Sequence, residues 1–464
     1  MVCRDAECLG SSANLLLLFA NKWSNTSMRN KLLLSALNVS LESADLTENQ
    51  EINPVTEETI VAVDEVLEEV RGGADDIEEH DEAVEELSEA AESLESLVSS
   101  LESFIADGGM SPAAADMHSR ALAIATRRLP VNAADYTVST ESFGGTGDKL
   151  VASQEALEGV KKLLSNIWDA IRNAVRSAWN AVKEFFATIG KSGPAVIAAG
   201  QSLKKRAQAA KGQKPVSAKI SLMTGLNHLV IDGKLDMAGS LSAIVHGYEV
   251  GVKQYTTKMV ANLSPLMQAV YKGEVHPDRL KEAAAKIDLK AALPDDMKGK
   301  LPGGYYFDMT LPDSYVNGGT DLEVLSKASL KLSQDKSKVV KGSEFEMPSV
   351  EAVEKMADQI INIGKAMSTA KSVQGAAEKG INDVVKAGDK LVASGDTLEK
   401  DEVASAKAVL AKLNKAARLT TGCSHQYLSF MGTAAKAAAS AGTQILKQYG
   451  KAAAKEAKAD AAAE

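Results

Sequence analysis

Aromatic side chains are scarce in this sequence, at 4% of 464 residues, while alanine is abundant. Sheets lean on aromatic and β-branched cross-strand pairs, so a β-sandwich fits poorly and helical packing fits well. Cysteine is nearly absent, with only Cys3, Cys8 and Cys423. Neither a disulfide framework nor a zinc-type spacing can be built from them. Synthesis in a reducing compartment is the expectation. No apolar run approaches the ~18 residues that a membrane-spanning helix needs. Catalytic signatures are missing too. Gly190-Lys191-Ser192 looks like the end of a phosphate loop, but that loop needs a glycine at position 185, where the residue is Phe. It also follows a helical pattern rather than a strand. There is no His-Glu-x-x-His and no Gly-x-Ser-x-Gly elbow. The histidines (His80, His118, His228, His246, His276, His425) are scattered. Cys423 and His425 lie close in sequence, but without an orienting third group the pair reads as a buried thiol beside a histidine. No enzyme, cofactor or metal site is expected.

What the chain does have is a reversal of charge. Residues 28–141 carry 26 acidic side chains against 6 basic ones, a net of −20, and residues 142–464 carry 34 against 44, a net of +10. The boundary falls at Ser139-Thr140-Glu141-Ser142. A cut between Glu141 and Ser142 would turn an acidic precursor into a basic product.

In chain order, residues 1–27 differ from the rest. The short apolar run Leu15–Ala20 lacks the net positive flank of a signal peptide, and a start at Met28, where a helical pattern begins, is the better reading. Residues 57–105 carry a heptad: Val63, Val70, Ile77, Val84, Ala91, Val98 and Ile105 in one register, Val66, Gly73, His80, Leu87, Leu94 and Leu101 in the other. This predicts a coiled-coil-like helix, interrupted at Gly72-Gly73. Its outer positions are almost all Glu and Asp, so it repels itself and favours a basic partner. A helix within a domain, solvated on one face, is the plainer alternative. A shorter helix fits Ala113–Arg128, and residues 132–153 read as an open linker of the kind a protease can enter.

Residues 156–189 form the strongest single helical pattern. Apolar residues fall every three or four positions through Leu157, Val160, Leu164, Trp168, Ile171, Val175, Trp179, Val182, Phe186 and Ile189, with Lys161, Lys162, Arg172, Arg176 and Lys183 on the other side. Gly190 and Gly193-Pro194 are expected to end it. Such a helix can lie on a membrane surface, dock on a partner, or pack against its own chain. The cluster Lys204-Lys205-Arg206 is either a phosphate contact or a solvated surface. Further helices are predicted over 241–271, 277–290, 351–373, 381–394, 401–418 and 424–448, with a fraying tail after Lys451. Residues 301–347 have β character in 305–310 and 330–340, bounded by Gly303-Gly304 and Asn317-Gly318-Gly319. The expected fold is mainly α: a helical bundle over 156–464 with a small antiparallel β insertion near 301–347, a linker at 142–155, and an acidic helical propiece over 28–141.

Ser-x-Glu recurs at Ser40-Leu41-Glu42, Ser93-Leu94-Glu95, Ser100-Leu101-Glu102, Ser139-Thr140-Glu141 and Ser153-Gln154-Glu155, with a distant copy at Ser349-Val350-Glu351. Helix capping accounts for some copies, Ser153 and Ser349 especially. One copy coincides with both the linker and the charge reversal.

In this plan (an acidic leader, Ser-x-Glu signals, and a basic helical body bearing a Trp-containing amphipathic helix) the chain resembles the internal head, or virion structural, proteins of giant tailed bacteriophages. The resemblance implies cleavage by a prohead protease after Glu141 during capsid maturation, with Ser142 beginning the mature chain. Glu42, Glu95 and Glu102 would be secondary cuts. It further implies synthesis in the host cytoplasm, head and scaffold proteins as partners, and a mature part that stays inside the head with packaged DNA, bound weakly and without sequence preference. The alternative is a membrane-active or ejected protein acting through Trp168, Trp179 and Phe186.

Overall fold

The computed structural model describes residues 57–129, 131, 133–136, 148–221, 226–231, 233–271, 282–289, 301–315, 320–339, 344–375, 377–379, 382, 386, 412–413, 415–416 and 418–460. The segments around Met28, Glu42 and Glu141–Ser142, and most of the helices expected at 277–290, 381–394 and 401–418, lie outside these residues. The fold is mainly α, with only two-stranded antiparallel sheets. The described residues fall into two compact units, 79–177 and 57–78 together with 178–460.

Helix α1 runs unbroken from Glu57 to Ala106, so Gly72-Gly73 does not interrupt it. Nothing lies near Gly72, whereas a Cβ on Gly73 would sit 3.3 Å from the Phe185 ring. Gly73 is therefore a packing position rather than a breaker. Helix α2, Pro112–Ala125, starts at Ser111, whose hydroxyl accepts from the Ala114 amide, with Pro112 in the first turn. A short 3₁₀ turn follows at Ala133–Tyr136.

Helix α3, Asp148–Ala209, is longer than the expected 156–189 at both ends. Residues 148–153 are its first turn and not linker, and Gly190, Gly193 and Pro194 lie inside it. Proline costs the helix one hydrogen bond and crowds the carbonyl four residues earlier. Here that residue is Gly190, which has open space around it. Gly193 stays helical because it meets helix α7 (Val350–Ser368) backbone to backbone. A Cβ on Gly193 would lie 2.7 Å from the Gly364 carbonyl oxygen, and one on Gly364 would lie 2.8 Å from the Gly193 oxygen. One turn pair further on, Gly200 faces the Ala357 carbonyl at 3.0 Å.

The first unit buries Val84, Leu87, Leu94 and Leu101 of α1, Leu122 of α2, and Val160, Leu163, Ile167 and Ile171 of α3. The buried face of α3 is thus centred on Leu163 and Ile167, one position away from the predicted Leu164. In the second unit the core gathers around α7 and helix α8 (Ser424–Asp460), which runs past the expected fraying point. Leu67, Val70 and Ile77 of α1 belong to that same core, with Phe185, Phe186, Tyr427 and Met431. Each fully buried Leu, Ile, Val or Met stabilises by about 1.5–3 kcal/mol.

The expected helix over 241–271 is present in three parts: α4 (Met237–Gly247), a π turn (Tyr248–Gln254) and α5 (Tyr255–Tyr271). Gly251 in the wide turn admits the Phe307 ring, and Gly247 admits Tyr427, whose hydroxyl donates to the Ile244 carbonyl at 2.8 Å. The expected β insertion pairs Tyr305–Thr310 with Ser329–Gln334, Tyr305 opposite Gln334 and Thr310 opposite Ser329. The second strand ends at Gln334, short of 340. Asp335 caps a 3₁₀ turn there. Lys219–Ser221 with Glu344–Glu346, and Val230–Ile231 with Lys234–Leu235, are further small pairs that the sequence pattern did not announce. Short helix Leu322–Lys327 (α6), capped by Asp321, lies between the strands of the larger pair.

His228 packs between Tyr305 (ring centroids 6.0 Å) and Phe430 (5.1 Å), and burial pushes its imidazole down to about 4 from an ordinary 6.5. Below pH 6.5 the unfolded chain binds this proton and the folded one does not, so stability falls as pH drops from 6.5 toward 4. The loss attributable to His228 is up to about 3 kcal/mol. Urea unfolding at pH 7 and pH 4.5 should show a smaller pH-dependent loss for His228→Phe than for the native chain. An equal loss in both would show that His228 does not carry it.

Candidate functional site

The acidic helix and its seat hold most of the residues that the sequence singled out. Positions Val70, Ile77, Val84, Ala91, Leu87, Leu94 and Leu101 of the heptad are buried, as a seam requires. Their partners are other elements of this chain. Glu68, Glu69, Asp75, Glu82, Glu85 and Glu86 are exposed. The helix is therefore solvated on its acidic face and packed within a domain on the other.

Ion pairs mark the seat. Lys161 of α3 reaches Glu102 at 2.6 Å, and Arg128 reaches Glu89 at 3.6 Å. In the second unit the Gln426 side chain donates to Glu78 at 2.6 Å, with the His425 ring 4.0 Å from the same carboxylate. His118 of α2 lies 3.4 Å from the Leu97 carbonyl, and burial holds its imidazole below the ordinary range.

The Ser-x-Glu copies separate into two structural classes. Glu95 and Glu102 stand in the middle of α1, where the backbone is hydrogen-bonded, and the Ser93 hydroxyl donates back to the Glu89 carbonyl. Neither copy is extended. Ser153 is not a cap. It sits inside α3, accepts from the Met110 amide at 2.8 Å and donates to the Lys149 carbonyl at 2.7 Å. Ser349 does cap α7, accepting from the Ala352 amide. The copies at Glu42 and at Glu141-Ser142 lie outside the described residues. The latter joins two fixed points: Tyr136, whose carbonyl is 3.1 Å from where a Cβ on Gly159 would be, and the start of α3.

The amphipathic helix does not present its apolar face. Trp168, Trp179 and Phe186 are all buried, Phe186 edge-on to Phe185 at 5.7 Å. Lys183 pairs with Glu378 at 3.0 Å and lies 5.4 Å over the Trp179 ring. Lys162 and Arg176 are exposed. The side chain of Arg172 lies outside the described residues. Among the described residues no helix is long and apolar enough to cross a membrane.

The cationic cluster of α3 is largely answered within the fold. Lys204 pairs with Asp358 at 2.7 Å and Lys211 with Glu354 at 2.8 Å, while Gln208 also donates to Glu354. Lys205 and Lys214 are exposed. Cys423 is fully enclosed, and burial pushes its thiol up to about 12, so almost no thiolate exists at neutral pH. Among the described residues no group of three or more His, Cys, Asp or Glu side chains is placed to hold a metal ion.

Sequence reasoning found the seam of α1 and the stripe of α3 but not that each buries the other's surroundings. Gly73 under Phe185 was the available signal. A model of the family of phiKZ-like phage internal head proteins matches residues 38–443. No curated protein and no solved structure matches the chain.

Proposed function

The chain belongs to the phiKZ-like phage internal head proteins, structural components located inside the virion head, and from that premise we propose that it is made as a precursor and cut after Glu141 during capsid maturation. The observation that carries this reading is the coincidence at one point of a Ser-x-Glu copy and the change in net charge from −20 to +10. Packaged DNA is a dense array of negative charge. An acidic leader lowers the affinity of the precursor for it, and removing the leader raises that affinity by proteolysis rather than by a ligand. The prohead protease and packaged DNA are the partners this reading adds to other head and scaffold components.

A net of +10 over the body is modest, and the pairing of Lys204 and Lys211 with Asp358 and Glu354 leaves fewer cations for phosphate. Binding to DNA should therefore be weak, independent of sequence and strongly salt-dependent. Two measurements test the reading. Mass spectrometry of purified particles should find a product that begins at Ser142, and full-length chain in mature particles would refute processing. Gel retardation at low salt should shift DNA with the processed protein and not with the precursor. Equal shifts would refute the charge switch. The membrane-active alternative has less support, because Trp168, Trp179 and Phe186 are buried.

A further inference from the structure

We propose that the acidic helix survives the cut as a bound, separate polypeptide, with α3 and the N-terminal turns of α8 as its receptor. This rests on the processing reading above and deepens it: hydrolysis after Glu141 adds one water across one peptide bond, leaving a carboxylate on Glu141 and an ammonium on Ser142, and breaks no packing contact of α1.

Each unit supplies a half of the receptor. In the first, Leu94 and Leu101 are wholly enclosed, as are Val160 and Leu163 of α3, and Lys161 holds Glu102 at 2.6 Å. In the second, Gly73 lies against Phe185, Leu67 lies over Gly432 of α8, and Gln426 holds Glu78. The apolar part of this seat does not weaken with salt, whereas the ion pairs do. A cut elsewhere in the chain therefore removes the tether and leaves the seat intact.

The same packing ranks the Ser-x-Glu copies. A protease binds its substrate extended, and Glu95 and Glu102 are helical. They become substrates only when α1 leaves its seat or opens locally. Cuts there follow release and make it irreversible, because the pieces are too short to reform the seam. The leader is then shed in two stages: a first cut that does not free it, and later cuts that trap it once free.

The experiment replaces residues 139–146 of the full chain with the recognition sequence of an unrelated protease. After complete cutting, gel filtration at physiological salt and at 1 M NaCl, salts chosen on the order of a ~8 Å and a ~3 Å screening length, should find the leader co-eluting with residues 147–464 in both. A leader that elutes free at physiological salt overturns the proposal. One that leaves only at 1 M NaCl overturns the apolar seat. Limited digestion of the native chain by a glutamyl endopeptidase should cut after Glu141 at least about tenfold faster than after Glu95 or Glu102, since cleavage tracks the open population. Equal rates would also overturn it. The engineered cut does not depend on the phage protease, so uncut chain in virions would refute processing and leave this result standing.

Discussion

Residues 142–464 produced without their leader are expected to melt far below the full-length chain, or to self-associate. Helix α1 places Leu67, Val70 and Ile77 in the core of the second unit and Val84, Leu87, Leu94 and Leu101 in that of the first. At about 1.5–3 kcal/mol each, taken as an upper bound, their removal withdraws on the order of 10 kcal/mol. Whole domains are stable by only about 5–15 kcal/mol. The stripe of α3 around Leu163, Ile167, Trp179 and Phe185 would then face water as one apolar patch, which soluble monomers rarely tolerate. Thermal denaturation followed by circular dichroism, with sedimentation velocity, checks this. A body that melts like the intact chain and stays monomeric would mean that α1 contributes little. If the loss is as large as argued, a head protein that sheds its leader must cover α3 with something else in the head.

The second large effect is expected at the crossing of α3 and α7. Gly193→Val and Gly364→Val each force a side chain into a facing carbonyl, at 2.7 and 2.8 Å from Cβ. Backbone cannot rotate away as a side-chain end can, so the helices must separate. Overpacking costs about 1–3 kcal/mol where neighbours can move, and here the expected loss is about 3 kcal/mol or more. Gly72→Ala is the control: nothing lies within reach of its Cβ, and alanine in a helix interior gains about 1 kcal/mol over glycine. Urea titrations of the three variants should give two large losses and one small gain. Near-native stability for Gly193→Val would show that the two helices do not approach as closely as described.

Much of the architecture was readable from spacing. The β pair was legible because Tyr305–Thr310 and the run after Ser329 alternate between glycine-rich breaks, and the seam of α1 because its heptad holds over seven turns of charge. Breakers were the weak point. Gly72-Gly73, Gly190 and Pro194 all read as ends, and none is one. Local propensity penalises them by about 1–3 kcal/mol, while tertiary packing at Gly73 and Gly193 rewards the missing side chain by allowing close approach. Periodicity also set the face of α3 one residue off, since a wide stripe flanked by Leu163 and Leu164 leaves its centre open. The cationic cluster at Lys204 was ambiguous for a different reason: its partners, Asp358 and Glu354, lie about 150 residues away, beyond any local pattern.

The wide turn at Tyr248–Gln254 fixes the phase of everything after it. A π turn holds one residue more than α geometry needs. Deleting a single residue there would restore a regular helix and swing the rest of it by about 100° around its axis. Met259, Leu263 and Leu266, all enclosed now, would point elsewhere, while a deletion in an exposed loop would be absorbed. The extra residue acts as a shim, and the alignment of a whole helix depends on its thickness.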